Sequence, residues 1–205
     1  MIKPHLDIRT ILSSPLIYRL FRRLTGSSRI NRIMVRDYVH PQATQTILDV
    51  GCGPSDVLRL LGNVSYYGID VDSYYISAAR KRFGNQGTFR VMDVTQLSRE
   101  LFPPCDTIIA FGVMHHLSDH DVSTLLQHVK HQLKPSGHFI SYDPCFTKHQ
   151  NPLAWMTHRL DRGRYVRYVS SLVELVQTVF PTCQHAIRTD LTYVPSSVII
   201  FDCTP

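Results

Sequence analysis

The strongest constraint on the fold is a regular alternation of short apolar runs with segments of helical periodicity. Strand-like runs occupy 44–50, 65–70, 88–92, 106–111 and 138–143. Segments with helical apolar spacing lie between them at 55–62, 73–84, 95–102 and 118–133. Parallel strands joined by helices follow right-handed crossovers. The alternation therefore predicts a doubly wound α/β sheet with helices on both faces.

The end of the chain breaks this alternation. A helical segment at 170–180 is followed by two strand-like runs, 185–193 and 197–203, with almost nothing between them. So short a link cannot form a parallel crossover, so the two runs must form an antiparallel hairpin. We predict a mostly parallel seven-stranded sheet that ends in this hairpin.

Length and composition suit one soluble domain. The chain has 205 residues, of which 43% are apolar and 19% charged, and a chain of this size can bury a sizeable core. No apolar run approaches the roughly 20 residues that cross a bilayer, and the first residues lack the pattern of a secretory signal. We expect a cytoplasmic protein with one domain over 1–205, a helical cap at 1–43 and an insertion at 144–169.

The cysteines and the charge exclude some functions and leave others open. Five scattered cysteines without a CxxC pair favour reduced thiols, and we predict no disulfide framework and no metal site. The net charge of +6 permits anionic partners, including nucleic acid. Arginine clusters near the N-terminus and at 159–167 are equally typical of solvated helix faces.

A glycine turn, ILDVGCGPSD at 47–56, follows the first predicted strand. Counted from Gly51, the third glycine of a G-x-G-x-x-G dinucleotide motif would fall on Asp56, which argues against a nicotinamide-dependent oxidoreductase. Asp49 precedes the turn, while Asp70 and Asp93 end the next two predicted strands. The loops beyond these strand ends meet at one edge of an open sheet, so we expect the acids to share a ligand site. Alternatively, Asp49 is a cap and Asp70 a surface acid.

Five segments in order resemble the class I S-adenosylmethionine-dependent methyltransferases. They are ILDVGCGPSDVL, YYGIDVDSYYISAARKRF, FRVMDV, CDTIIAFGVMHHL and LKPSGHFISYDP. The resemblance covers about residues 45–205 and includes the seven-stranded plan. One departure is Ser55, which stands where the family often has a glycine, and from which we expect a slightly altered loop.

The resemblance implies S-adenosylmethionine as cofactor and assigns residues to it. Asp49 would lie near the amino group of the methionine moiety, Asp70 would bind the ribose, and Asp93 would accept a hydrogen bond from the adenine amine. The remaining assigned residues pack around the cofactor or let it approach the backbone: Gly51, Cys52, Gly53, Val71, Met92, Val94 and Phe111.

Candidate catalytic residues follow the fourth predicted strand. His115 and His116 are suited to general-base work near neutral pH, although either could instead face the core or cap the next helix. Tyr142 and Asp143 end the fifth strand, which borders the acceptor pocket of the family. Cys145 could be a nucleophile, but a buried thiol explains it better.

The insertion at 144–169 is expected to cover the acceptor. Its candidate contacts are Trp155, His158 and Arg159, and their basic and aromatic character would suit an anionic or sugar-like molecule. A surface helix pair with solvated arginines is the alternative. Strand four ends in AFGVMHH and lacks an Asn/Asp-Pro-Pro-aromatic motif, which argues against methylation of an adenine amine or a glutamine amide.

The predicted function is methyl transfer to a small-molecule acceptor, at a hydroxyl group. Two alternatives remain open from the sequence. The first is a nucleic-acid methyltransferase that uses the basic surfaces, and the second is a scaffold that binds the cofactor without catalysis.

Overall fold

The computed structural model describes residues 27–159 and 163–205. Most of the predicted N-terminal cap therefore lies outside the described residues, as do three residues of the insertion.

The sheet follows the predicted plan. Its strands are β1 (Thr46–Val50), β2 (Ser65–Asp70), β3 (Gly87–Val91), β4 (Cys105–Phe111), β5 (Leu133–Phe146), β6 (Arg167–Tyr168), β7 (Gln184–Arg188) and β8 (Val198–Cys203). The order is β3-β2-β1-β4-β5-β8-β7, and β6 pairs with β5 outside this path. Strands β1 to β5 are parallel, while β8 is antiparallel to both β5 and β7. The parallel sheet with its terminal hairpin is confirmed, and β6 is a two-residue addition that periodicity cannot detect.

Helices pack on both faces of this sheet. The α-helices are α1 (Ser27–Met34), α2 (Leu58–Leu61), α3 (Ser73–Phe83), α4 (Asp119–Gln132), α5 (Pro152–Arg159) and α6 (Val169–Gln177). Alternate residues of β1 point to opposite sides: Leu48 belongs to one buried cluster and Ile47 to the other. Helices α4 and α6 cover the first cluster, and α1 and α3 cover the second.

Several predicted boundaries were wrong for local reasons. The segment 95–102 forms two 3-10 turns, Val94–Gln96 and Arg99–Leu101, instead of a helix. The helix predicted from residue 55 begins only at Leu58, because Ser55 has a left-handed backbone with φ of 55°. By contrast, α3 begins at Ser73 as predicted, where Asp72 caps it because its Oδ1 accepts from the Tyr74 N–H at 2.8 Å.

The C-terminal hairpin differs from its prediction in two ways. Strand β7 ends at Arg188, so a nine-residue loop, 189–197, leads to β8. The prediction of five reduced thiols was also wrong, because Cys183 and Cys203 form a disulfide. The hairpin brings together two cysteines separated by 20 positions, a pairing that sequence spacing does not reveal. In the described part of the chain, no helix is long and apolar enough to span a membrane.

Candidate cofactor and acceptor site

A cavity of about 620 Å³ opens beyond the carboxyl ends of the parallel strands. Strand order divides its lining into two regions. Strands β3, β2 and β1 form one part of the sheet, and β4, β5 and β8 form the adjoining part. The carboxylate half follows β1 to β3 and is formed by Asp49, Gly51, Cys52, Gly53, Asp56, Val57, Asp70, Val71, Asp72, Tyr75, Asp93 and Val94. The neutral half is formed by Phe111, Gly112, Val113, His115, His116, Leu117, Tyr142, Pro144, Thr192, Ser196 and Val198, and Ile30 and Asn31 of α1 also line the cavity.

The glycine turn gives the carboxylate half its shape. Gly51 and Gly53 have φ of 69° and 53°, a left-handed conformation that favours glycine. A Cβ on Gly51 would lie 2.7 Å from Val113 Cγ2, so this position also requires the absence of a side chain. The turn therefore lets the backbone approach a ligand closely.

Asp49 is buried behind this turn, with only 3% of its surface exposed. The Tyr66 hydroxyl donates to Asp49 Oδ2 at 2.5 Å. Burial, followed by the negative charge of Asp49, raises the pKa of Tyr66, which keeps the phenol protonated as the donor. The carboxylate of Asp49 is thereby fixed at the cavity wall.

Asp70 connects two neighbouring loops. Its Oδ2 accepts from the Gly53 N–H and its Oδ1 from the Asp72 N–H, both at 2.8 Å. Burial raises the pKa of Asp70, and the two main-chain hydrogen bonds oppose that rise. Each carboxylate oxygen retains acceptor capacity, so the fixed side chain suits a pair of neighbouring ligand hydroxyls.

The remaining predicted cofactor residues of the carboxylate half lie in the loops after β1, β2 and β3. Asp93 lines the cavity and caps the following turn, since its Oδ1 accepts from the Thr95 N–H at 2.9 Å. Val71 and Val94 also line the cavity. Met92 does not: it packs against the buried cluster covered by α4 and α6. Cys52 lines the wall, and burial raises the pKa of its thiol, so it remains a neutral group.

In the neutral half, His115 is held by a buried carboxylate. Asp143 Oδ1 lies 2.7 Å from His115 Nδ1 and also accepts from the His115 main-chain N–H at 2.9 Å. An ionised carboxylate only accepts, so the Nδ1 atom carries the hydrogen and the lone pair is on Nε2. His115 lines the cavity, while Asp143 is fully buried behind it. The pair has the arrangement of a general base and its orienting group.

The neighbouring rings complete this wall. His116 also lines the cavity, and its ring centroid is 4.0 Å from that of His115. Phe111 and Tyr142 are stacked with a centroid distance of 5.0 Å. Both line the neutral half, which gives it a flat aromatic surface.

A segment that we call the strap, residues 163–168, holds His115 from outside. The Tyr165 N–H donates to His115 O at 3.0 Å, and a Cβ on Gly163 would collide with the His115 ring. Arg167 donates to Met114 O at 2.9 Å and to Leu117 O at 2.7 Å. In the sequence Arg167 is one member of an arginine cluster. Its hydrogen bonds to the His115 turn could not be predicted, because the acceptors are main-chain carbonyls about 50 positions earlier.

Helix α5 lies outside the cavity. Trp155 is 49% exposed, and the Arg159 guanidinium lies 5.6 Å from its ring centroid. His158 is buried, and its Nε2 lies 2.9 Å from Oγ of Ser196, which lines the cavity. Cys145 is a buried thiol whose pKa is raised by burial to about 12, which does not suit a nucleophile.

Comparisons with known proteins agree with this fold. Residues 47–137 match the family model described as a methyltransferase domain. A tRNA U34 carboxymethyltransferase of Shewanella denitrificans is 30% identical over 154 residues, which are 69% of this chain and 44% of that protein. The chain thus spans less than half the length of the curated relatives it matches.

Solved structures share the fold at lower identity. The mitomycin 7-O-methyltransferase MmcR has a TM-score of 0.69 and 17% identity, covering 96% of this chain and 60% of that chain. The Haemonchus contortus phosphoethanolamine N-methyltransferase 2, solved with phosphomonomethylethanolamine and S-adenosylhomocysteine, has a TM-score of 0.73 and 13% identity over 97% and 59% of the two chains.

The fold and the matching domain define the class. The chain has the class I methyltransferase fold and matches a methyltransferase domain over residues 47–137, and S-adenosylmethionine is the cofactor of that class.

Proposed function

We propose that the chain binds S-adenosylmethionine in the carboxylate half and methylates a hydroxyl group of a small molecule held in the neutral half. The observation that carries this proposal is the His115–Asp143 pair at the wall of the same cavity that contains the glycine turn and the three predicted acids.

The carboxylate half fits this cofactor by charge. Five carboxylates line it, at Asp49, Asp56, Asp70, Asp72 and Asp93. Such a surface attracts the ammonium and sulfonium groups of the cofactor and repels the phosphates of a dinucleotide. Asp49 would hold the amino group, Asp70 the ribose hydroxyls and Asp93 the adenine amine, with Val71 and Val94 packing on the base.

The neutral half supplies the acid–base chemistry. When bound, the cofactor provides an electrophilic methyl group. His115 Nε2 takes the proton of the acceptor hydroxyl, and Asp143 holds the tautomer and stabilises the resulting imidazolium. General-base catalysis of this kind contributes roughly 10²- to 10⁴-fold, and orientation of the two reactants in one cavity supplies roughly 7–11 kcal/mol.

A nucleoside of RNA is a second candidate acceptor. It is favoured by the curated relative, whose name specifies tRNA U34, and by the net charge of +6. The small molecule is preferred because, among the residues described, no lysine or arginine lines the cavity to receive a phosphate.

Two measurements test the proposal. S-adenosylmethionine or S-adenosylhomocysteine, at about 100 times its dissociation constant, should stabilise the fold by about 2.7 kcal/mol in a thermal-shift assay. Labelled methyl groups should then enter a small-molecule extract and not total RNA from the same cells. The absence of a thermal shift with both ligands would contradict the cofactor assignment, and labelling of RNA alone would select the second acceptor.

A further inference from the structure

A chain of side chains reaches the cavity from behind the neutral half. Gln150 Nε2 lies 2.9 Å from His158 Nδ1, and His158 Nε2 lies 2.9 Å from Ser196 Oγ. Gln150 and His158 come from the insertion, whereas Ser196 comes from the loop between β7 and β8 and lines the cavity. His158 is 5% exposed, and the edge of its ring contacts Phe146. The chain of side chains therefore passes through the buried His158 and ends at a hydroxyl on the cavity wall.

The direction of these hydrogen bonds follows from the orientation of the Gln150 amide. The Thr147 N–H donates to Gln150 Oε1 at 3.3 Å, and Gln150 Nε2 donates to Cys145 O at 3.5 Å. Two main-chain partners of opposite character thus distinguish the amide oxygen from the nitrogen. Gln150 presents an N–H to His158.

This orientation determines the tautomer of His158. Because Nδ1 accepts from Gln150, the hydrogen of the neutral ring is on Nε2. Nε2 then donates to Ser196 Oγ, which occupies one lone pair of that oxygen. A serine hydroxyl has one hydrogen, and among the described residues that hydrogen has no acceptor. It is left to donate into the cavity.

We propose that Ser196 donates a hydrogen bond to an oxygen of the acceptor, and that Gln150 and His158 hold it in the donor state. The acceptor class is then a molecule with a carbonyl, ether or second hydroxyl oxygen near the methylated group. This inference rests on the proposed function, because it places the acceptor in the neutral half. Ser196 is a binding residue, and Gln150 and His158 are positioning residues.

The same direction excludes a serine nucleophile. A base that activates a serine must accept the hydroxyl hydrogen, whereas His158 Nε2 donates to Ser196. The chain formed by Gln150, His158 and Ser196 therefore suits binding of an acceptor oxygen and does not suit nucleophilic catalysis by Ser196.

The tautomer is tested without any acceptor. Long-range ¹H–¹⁵N NMR at about pH 8, where an ordinary imidazole is neutral, should show the His158 hydrogen on Nε2. Gln150→Glu should move it to Nδ1, because a carboxylate only accepts. A wild-type ring with its hydrogen on Nδ1, or on both nitrogens, overturns the inference.

Acceptor binding is tested by rates of methyl transfer from labelled S-adenosylmethionine into a small-molecule extract. Ser196→Ala and Gln150→Glu should each lower the rate at limiting extract about 3- to 10-fold, the effect of one neutral hydrogen bond. A higher extract concentration should restore the rate, and cofactor affinity by calorimetry should not change. Gln184→Glu makes the same charge change at an exposed position and should keep the wild-type rate.

The outcomes separate this inference from the proposed function. A wild-type rate in Ser196→Ala or in Gln150→Glu overturns the inference while methyl transfer stands. If the wild type binds the cofactor but labels nothing in the extract, the small-molecule acceptor is contradicted. The rates of methyl transfer by the variants are then compared with total RNA as the acceptor. Absence of labelling from both sources contradicts the function and the inference together.

Discussion

The side chains in the two halves of the cavity are held by different kinds of partner. In the carboxylate half, Asp70 is fixed by the main-chain N–H groups of Gly53 and Asp72, and Asp49 is fixed by the Tyr66 hydroxyl 17 positions away. In the neutral half, side chains are fixed by partners far along the chain: His115 by Asp143, and Ser196 by His158. The first half is local in sequence, and the second depends on the completed fold.

This difference separates cofactor binding from acceptor chemistry. Glycines and acids at successive strand ends suit any acceptor, because in the proposed site they would contact only the methyl donor. Specificity has to come from β4, β5 and the loops that reach them. Substitutions in one half should therefore leave the function of the other half intact, and the predictions below test that independence.

The largest effect is expected from Asp70→Ala. The substitution removes an acceptor for two main-chain N–H groups and for the ribose, and hydrogen bonds to a charged group contribute about 1.5–3 kcal/mol each. Affinity for S-adenosylmethionine should fall about 100-fold or more by calorimetry. Glu174→Gln, on the exposed face of α6, should bind normally. Retained affinity in Asp70→Ala would contradict the proposal that Asp70 binds the ribose.

The wild-type protein should show a related pH dependence. In the proposed site the Asp70 carboxylate binds the ribose, and burial raises the pKa of this group. On acidification, affinity should therefore begin to fall at a higher pH than it would for an exposed aspartate. A calorimetric titration series across the acidic range measures this loss.

The second effect belongs to the neutral half. Asp143→Asn removes the negative charge that stabilises His115 when it accepts a proton, so kcat should fall about 10- to 100-fold. Cofactor affinity should remain within about twofold of the wild type. Asp202→Asn is the matched control, because Asp202 forms a comparable pair with His138 on the exposed surface, with a distance of 2.9 Å.

An equal loss of cofactor affinity and kcat in Asp143→Asn would contradict the independence of the two halves. A wild-type kcat in Asp143→Asn would instead contradict general-base catalysis by His115. Positioning of the reactants would then be the source of catalysis.

The same contrast explains what the sequence could predict. The parallel sheet, the terminal hairpin and the positions of Asp49, Asp70 and Asp93 follow from periodicity and from acids placed at strand ends. The partners of His115 and its turn do not follow in this way. Gly163 lies against the His115 ring, and the Arg167 guanidinium donates to main-chain carbonyls of the turn. The two-residue strand β6, which contains Arg167, is not visible in the periodicity. The insertion was expected to cover the acceptor with Trp155 and Arg159, yet its route to the cavity is His158 through Ser196. Composition identifies a basic and aromatic segment but not which of its side chains face inward.

The smallest effect concerns Ser55, at the end of the glycine turn. With φ of 55°, its Cβ is held in the left-handed region, which costs roughly 1 kcal/mol for a residue other than glycine. Ser55→Gly should remove that cost. The extra freedom of glycine in the unfolded chain offsets part of the gain, so the free energy of unfolding measured in urea should rise by about 0.5–1 kcal/mol. Ser55→Ala keeps the Cβ and should show no such gain. Ser55 does not line the cavity, so cofactor affinity should be unchanged in both variants. A change in affinity would mean that the carboxylate half depends on the strained turn itself and not only on the acids around it.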